Sequence, residues 1–194
     1  MKPFGFEAAC SHSPCPSRCL VYRCPMARPR TLPDSQVFAA ILQMIAAQGE
    51  KAVAFSAVTR ATGLAGASLV QRYGSLTAMV EAALSWGWDE LDAMATAAEA
   101  EVVAAAKGPQ ALLRALGDGR GNLPMAALMA ASLRHVRLRA RAADWRTRVE
   151  AMLAARLHSQ ETAAILFAAW QGQMLWEGTG DKGFRLKDVL KRLT

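Results

Sequence analysis

The side chains most able to do chemistry crowd into the first 24 positions, where Cys10, His12, Cys15, Cys19 and Cys24 supply four thiols and an imidazole. Thiolate and imidazole are the ligands of structural zinc, so metal binding is the first chemistry to test. The spacing C-x4-C-x3-C-x4-C matches no finger or ribbon, and neither a metal nor another cofactor is expected. The three histidines, His12, His135 and His158, belong to no nucleophile–base–acid constellation. No G-x-x-x-x-G-K-[ST] loop occurs, and no Rossmann fingerprint follows a strand. No enzymatic activity is expected.

A second set of groups suits recognition. Ser56, Ser68, Gln71 and Arg72 lie close together in the chain, preceded by Arg28 and Arg30. A glutamine amide donates and accepts at once, and a guanidinium can grip an anion with two parallel hydrogen bonds. The net charge of +7 favours a polyanion, either a nucleic acid or an anionic membrane surface. A further basic cluster, Arg134, Arg137, Arg139, Arg141, Arg146 and Arg148 with His135, faces only Asp144 in sequence. Helical spacing puts Arg134, Arg137 and Arg141 on one face, which reads first as a solvated surface and second as an anion-binding patch.

The elements that must position these groups are helical. Asp34 and Ser35 are N-cap types before Val37, Ile41 and Ile45, an apolar stripe at i, i+4 and i+8 that ends at Gly49. Two short helices follow, residues 55–62 and 66–73, around the turn Gly63-Leu64-Ala65. Ser75 caps a long helix over 76–106, with Val80, Leu84, Trp88, Leu91, Met94 and Val102 inward and Gly87 as a point of bending. Further helices are expected near 109–116, 124–140, 143–158, 160–177 and 184–193, with loops at 117–122 and 178–183. No segment alternates with period two, so the fold class is all-α. Hydrophobic residues make up 53% of the chain, enough for a substantial core, and no apolar run is long enough to span a bilayer. Residues 1–25, with their prolines and no helical period, read as a disordered or non-native extension, with translation beginning at Met26. Without cysteines after position 24, the body reads as a reduced, cytoplasmic protein.

Three short helices with a glycine-containing turn between the second and third make a helix-turn-helix. Here the run AILQMIAAQGEKAVAFSAVTRATGLAGASLVQRYGSLTAMVEAAL resembles the DNA-binding domain of the TetR family, without a gap. Gly49, Phe55, Val58, Gly63, Leu64, Ser68, Leu69, Tyr73, Gly74, Ser75 and Met79 carry the resemblance. It implies a DNA-binding domain over 26–75 and a ligand-binding and dimerisation domain over 76–194. It also implies a repressor released from a palindromic operator by a small ligand. The DNA contacts implied are Arg28, Arg30, Ser56, Gly66, Ala67, Ser68, Gln71, Arg72 and Tyr73. Three departures stand out: Val70 replaces the family's phosphate-binding tyrosine, Leu76 replaces a lysine, and Val53-Ala54 replace a small polar pair. Each removes a phosphate donor and lowers non-specific affinity. Arg72 stands where the family often has histidine.

The same resemblance implies a small apolar or mixed-polarity ligand near Trp88, Met94, Met125, Leu128, Met129, Leu133 and Phe167. It implies a homodimer through Trp170, Gln173, Met174, Trp176, Leu186, Val189 and Leu190. Double-stranded DNA and a second copy are the expected partners, with no membrane. The alternative is a basic membrane-surface or helical interaction protein without sequence-specific DNA binding.

Overall fold

The computed structural model describes residues 32–119, 121–176, 180 and 184–193. The expectations for residues 1–25, Met26, Arg28 and Arg30 lie outside them. Thr31–Thr194 form one compact unit, and its described residues are helices and connections without a strand.

Three short helices open the unit: α1 (Asp34–Gln48), α2 (Phe55–Thr62) and α3 (Gly66–Tyr73). The stripe of α1 buries Val37, Ile41, Leu42 and Ile45 as its period demands. The N-cap is Pro33, one residue earlier than expected, and its side chain offers no capping bond. Asp34 therefore sits in the first turn with its carboxylate available for other partners. Gly49 ends α1 at φ +82°, ψ 166°, an extended backbone with positive φ rather than the left-handed turn expected. A 3-10 turn, Glu50–Ala52, follows. Gly63 does adopt the left-handed conformation, φ +73° and ψ 6°, and closes α2 through its N–H to the Thr59 carbonyl.

The long α4 (Leu76–Ala104) starts on Ser75, whose Oγ accepts from the Ala78 N–H at 3.1 Å. It runs through Gly87 without a break, against the expectation of a bend. Glycine there serves packing instead. A β-carbon on Gly87 would stand 3.1 Å from both terminal methyls of Leu128 and from one of Leu42. The bare backbone lets α1 and α6 (Met125–Ser132) close on α4.

Beyond it come α5 (Pro109–Gly119), α7 (Val136–Leu157), α8 (Gln160–Trp176) and α9 (Leu186–Leu193). α5 continues past the expected stop at residue 116, because Leu112, Leu113 and Leu116 seat it firmly and Gly117 and Gly119 remain helical. The break expected near 140 falls at 133–135 instead, where His135 is extended. From there α7 is continuous, since Leu138, Ala142, Trp145, Val149 and Leu153 keep one buried face.

Tilted aromatic rings run through the body: Trp88 on Trp145, Trp145 on Phe167, Phe167 on Trp170, with centroids 6.1, 5.9 and 5.9 Å apart. The indole N–H groups of Trp88 and Trp145 both find acceptors. The Trp88 indole N–H donates to Ser132 Oγ at 2.8 Å, and that hydroxyl donates to the Leu128 carbonyl at 2.7 Å. The arginine run is not simply a solvated face. Arg141 pairs with Asp89 at 2.5 Å and Asp92 at 2.9 Å, and Arg148 reaches Asp92 and Thr96, tying α7 to α4. Being partly exposed, such pairs are worth about 0–1 kcal/mol each, so they set register more than stability. Arg137 and Arg139 point outward, with no ion pair among the described residues.

Replacing Ser132 with alanine leaves the buried indole N–H of Trp88 without an acceptor. The expected loss is about 1–3 kcal/mol in denaturant unfolding, with secondary structure unchanged by circular dichroism.

Candidate nucleic-acid interface

The site begins with what α2 does for α3. Val58 of α2, Leu64 of the turn and Leu69 of α3 are buried together with α1. Burying Leu69 fixes the rotation of α3 about its own axis, and helical geometry then decides which residues face out. Ala67, Val70 and Gln71 are exposed, whereas Gly66 and Ser68 are half-buried. Val70 keeps 47% of its surface in contact with solvent. Ser56 is exposed on the first turn of α2, and Arg60 and Lys51 are exposed nearby in the chain. Side chains of this kind, on the exposed face of a helix braced by another, have the form that enters a DNA major groove.

Two expected contact residues are engaged elsewhere. Arg72 Nη1 donates to the Leu32 carbonyl at 2.8 Å and lies 3.5 Å from Asp34 Oδ1. The Tyr73 hydroxyl donates to the same carboxylate oxygen at 2.6 Å, and its ring lies 5.7 Å from that of Phe38. Burial pushes the Tyr73 phenol up to about 12, the Asp34 carboxylate adds to the rise, and Arg72 opposes it. Both residues fasten the chain before α1 to the end of α3. They form a clamp in which Tyr73 is half-buried and Arg72 stays exposed, and the reason is the carboxylate of Asp34 within their reach. Capping chemistry drew attention to Asp34 for a different task. A missed residue is Val70, which sequence reasoning counted only as a lost tyrosine although it lies on the face shared with Ala67 and Gln71.

Most of the residues expected around a ligand lie in, or packed against, one core. Trp88, Leu128 and Phe167 are fully enclosed in packed core, Met125 is buried and Met129 half-buried. Leu133 is 58% exposed, because the break before α7 turns it outward. Met94 does line a groove of about 720 Å³ between α4 and α5, with Glu90, Ala97, Glu101, Arg114 and Asp118. The groove is open to solvent and carries both charges on its rim.

The expected dimer residues also divide. Trp170 is only 4% exposed within one copy, where it ends the aromatic series, so it has almost no surface left for a partner. Gln173 Nε2 donates to the Phe184 carbonyl at 2.9 Å and joins α8 to the segment before α9. Met174, Leu186, Val189 and Leu190 are half-buried. Trp176 is 62% exposed, and with Ile165, Ala168 and Leu175 it leaves an apolar exposed stripe along α8.

No family model matches the chain, and no curated protein matches it. Solved structures do share its fold. EbrR, described as a multidrug binding protein and solved with imidazole, is 23% identical, with 82% of this chain and 92% of that one covered and a TM-score of 0.59. A TetR family member from Streptomyces coelicolor is 24% identical, covering 83% and 96%, with a TM-score of 0.62. A third structure, from the same organism and described as a transcriptional regulator, is 19% identical, covering 83% and 96%, with a TM-score of 0.58. At these identities the likeness is one of fold. The chain has the all-α fold of these proteins, a helix-turn-helix followed by a larger helical body.

A raised phenol stabilises the fold fully below the ordinary tyrosine value and loses that contribution as the pH climbs through the folded one, here about 12. In a spectrophotometric titration, the component that Tyr73→Phe removes is expected near 12. Asp34→Asn is expected to move that component down toward the ordinary value of about 10.

Proposed function

We propose that this chain is a DNA-binding transcription regulator of the TetR type, a homodimer that seats α3 of each copy in successive major grooves of a palindromic operator. The observation that carries the reading is the exposed face Ala67, Val70 and Gln71 on a helix whose opposite side, Leu69, is fixed in the core. Ser56, Gly66 and Ser68 add hydroxyl and backbone groups for the duplex, with Arg28 and Arg30 as an arm toward the backbone or minor groove. Residues 26–75 form the DNA-binding domain in this reading, and 76–194 the sensing and pairing domain. The reading assigns no catalysis.

Dimerisation is assigned to α8 and α9. The stripe of Ile165, Ala168, Leu175 and Trp176 is apolar, exposed and continuous with the half-buried Met174, Leu186, Val189 and Leu190. A second copy would bury it, and two recognition helices roughly 34–36 Å apart would then match one turn of duplex.

The way the two halves are joined supports a reading of release by a small molecule. Glu50, in the 3-10 turn after α1, takes Arg134 at 2.6 Å and lies 3.4 Å from His135 Nε2. His135 Nδ1 lies 3.6 Å from Glu81 of α4. The connection between α6 and α7 thus touches the DNA-binding half and the body at once. A guest that prefers one setting of these helices biases the spacing of α3 by its differential affinity. The groove at Met94 is the site favoured for it, and the multidrug-binding description of EbrR agrees with a guest of apolar or mixed polarity.

The membrane-surface reading is weaker. Arg141 and Arg148, which would have to meet an anionic surface, are engaged with α4.

The full chain is expected to retard a palindromic duplex, with a dissociation constant that rises steeply with salt, and to require both half-sites. Equal retention by anionic vesicles, or indifference to the second half-site, would overturn the reading.

A further inference from the structure

On α3 the single basic residue is Arg72, and Leu32 and Asp34 already hold its guanidinium. The outward face offers Val70, Ala67 and Gln71. The chemistry of that face is narrow. Guanine is read in the major groove by arginine or lysine on O6 and N7, and on α3 the one such side chain, Arg72, is tethered away from Ala67, Val70 and Gln71 by Leu32 and Asp34. Adenine is read by a glutamine amide on N6 and N7, and the Gln71 amide has no hydrogen bond to the described residues. Thymine alone offers an apolar group, its C5 methyl, and a side chain such as Val70, 47% exposed, matches it. Cytosine at that position would set its amino group against Val70 with no acceptor to take the proton.

Spacing supports the pairing. Val70 and Gln71 are adjacent in sequence and Ala67 is three residues earlier, so the three lie along one strip of the helix. Gly66, Ala67 and Ser68 are small, which lets the start of α3 approach the base edges closely.

Resting on the reading of α3 as the groove-entering helix, we infer that it selects A·T pairs, with Val70 against a thymine methyl and Gln71 on the edge of a neighbouring adenine. The half-site core has adjacent A·T pairs and no directly read guanine. Val70 is thereby a specificity-determining residue.

The test uses the full chain and a library of random duplexes, followed by single replacements in the enriched sequence. Selected half-sites are expected to centre on A·T pairs. Replacing the read thymine with deoxyuridine removes only the methyl and is expected to weaken binding about fourfold, the fold-change that burying one methylene is worth. Val70→Ile is expected to keep that sensitivity and Val70→Ser to lose it. Gln71→Ala is expected to cost about tenfold for adenine at the neighbouring position. Circular dichroism guards the folding of each variant, all of them at exposed positions. Enrichment of guanine at the centre, or equal binding of thymine and deoxyuridine duplexes by the wild type, overturns the inference and leaves DNA binding intact. Failure to enrich any sequence overturns the DNA-binding reading and this inference with it.

Discussion

Leu42 of α1 and Leu128 of α6 both close on the backbone of Gly87, each within 3.1 Å of where a β-carbon would stand. Through that contact the helix-turn-helix is seated on the body. α1 carries α2 and α3 on one side, and α6 leads into α7 on the other. A side chain at position 87 would push at least one of those helices away, since packed interiors tolerate little added volume. The orientation of α3 relative to α4 therefore depends on a residue that has no functional group.

Around that junction, acidic groups hold cations in place. Asp34 takes Arg72, Glu50 takes Arg134, and Asp89 and Asp92 take Arg141. Arginines held in this way are engaged within the fold rather than turned toward a polyanion. This is why the candidate interface is characterised more by its apolar and amide groups than by its charge. The same arrangement gives the chain two junctions near the helix-turn-helix. One sets where the chain enters α1, and the other links Glu50 to the start of α7. Either could shift the population of α3 orientations without touching its outward face.

Much of the fold was legible because helix period and glycine placement are local signals. The stripe Val37, Ile41 and Ile45, the left-handed Gly63 and the Ser75 cap follow directly from residue type. What was not legible depends on contacts distant in sequence. Gly87 reads as a helix breaker until Leu42 and Leu128 are seen against it. The arginine run reads as a wet surface until α4 supplies Asp89 and Asp92. Trp170 reads as an interface anchor, yet Phe167 one turn earlier draws it into the same core. Ligand candidates chosen by helical spacing are mostly core for the same reason, and Met94 reaches a groove because α5 packs through its leucines and leaves its small residues at the edge.

The central claim is that the exposed strip of α3 is the surface a duplex covers. Oxidative footprinting of the full chain, read by mass spectrometry with and without a selected duplex, reports the exposure of individual side chains. The account predicts protection of Val70, while Leu133 and Val136 react as before. Protection of those two with Val70 unchanged would contradict it.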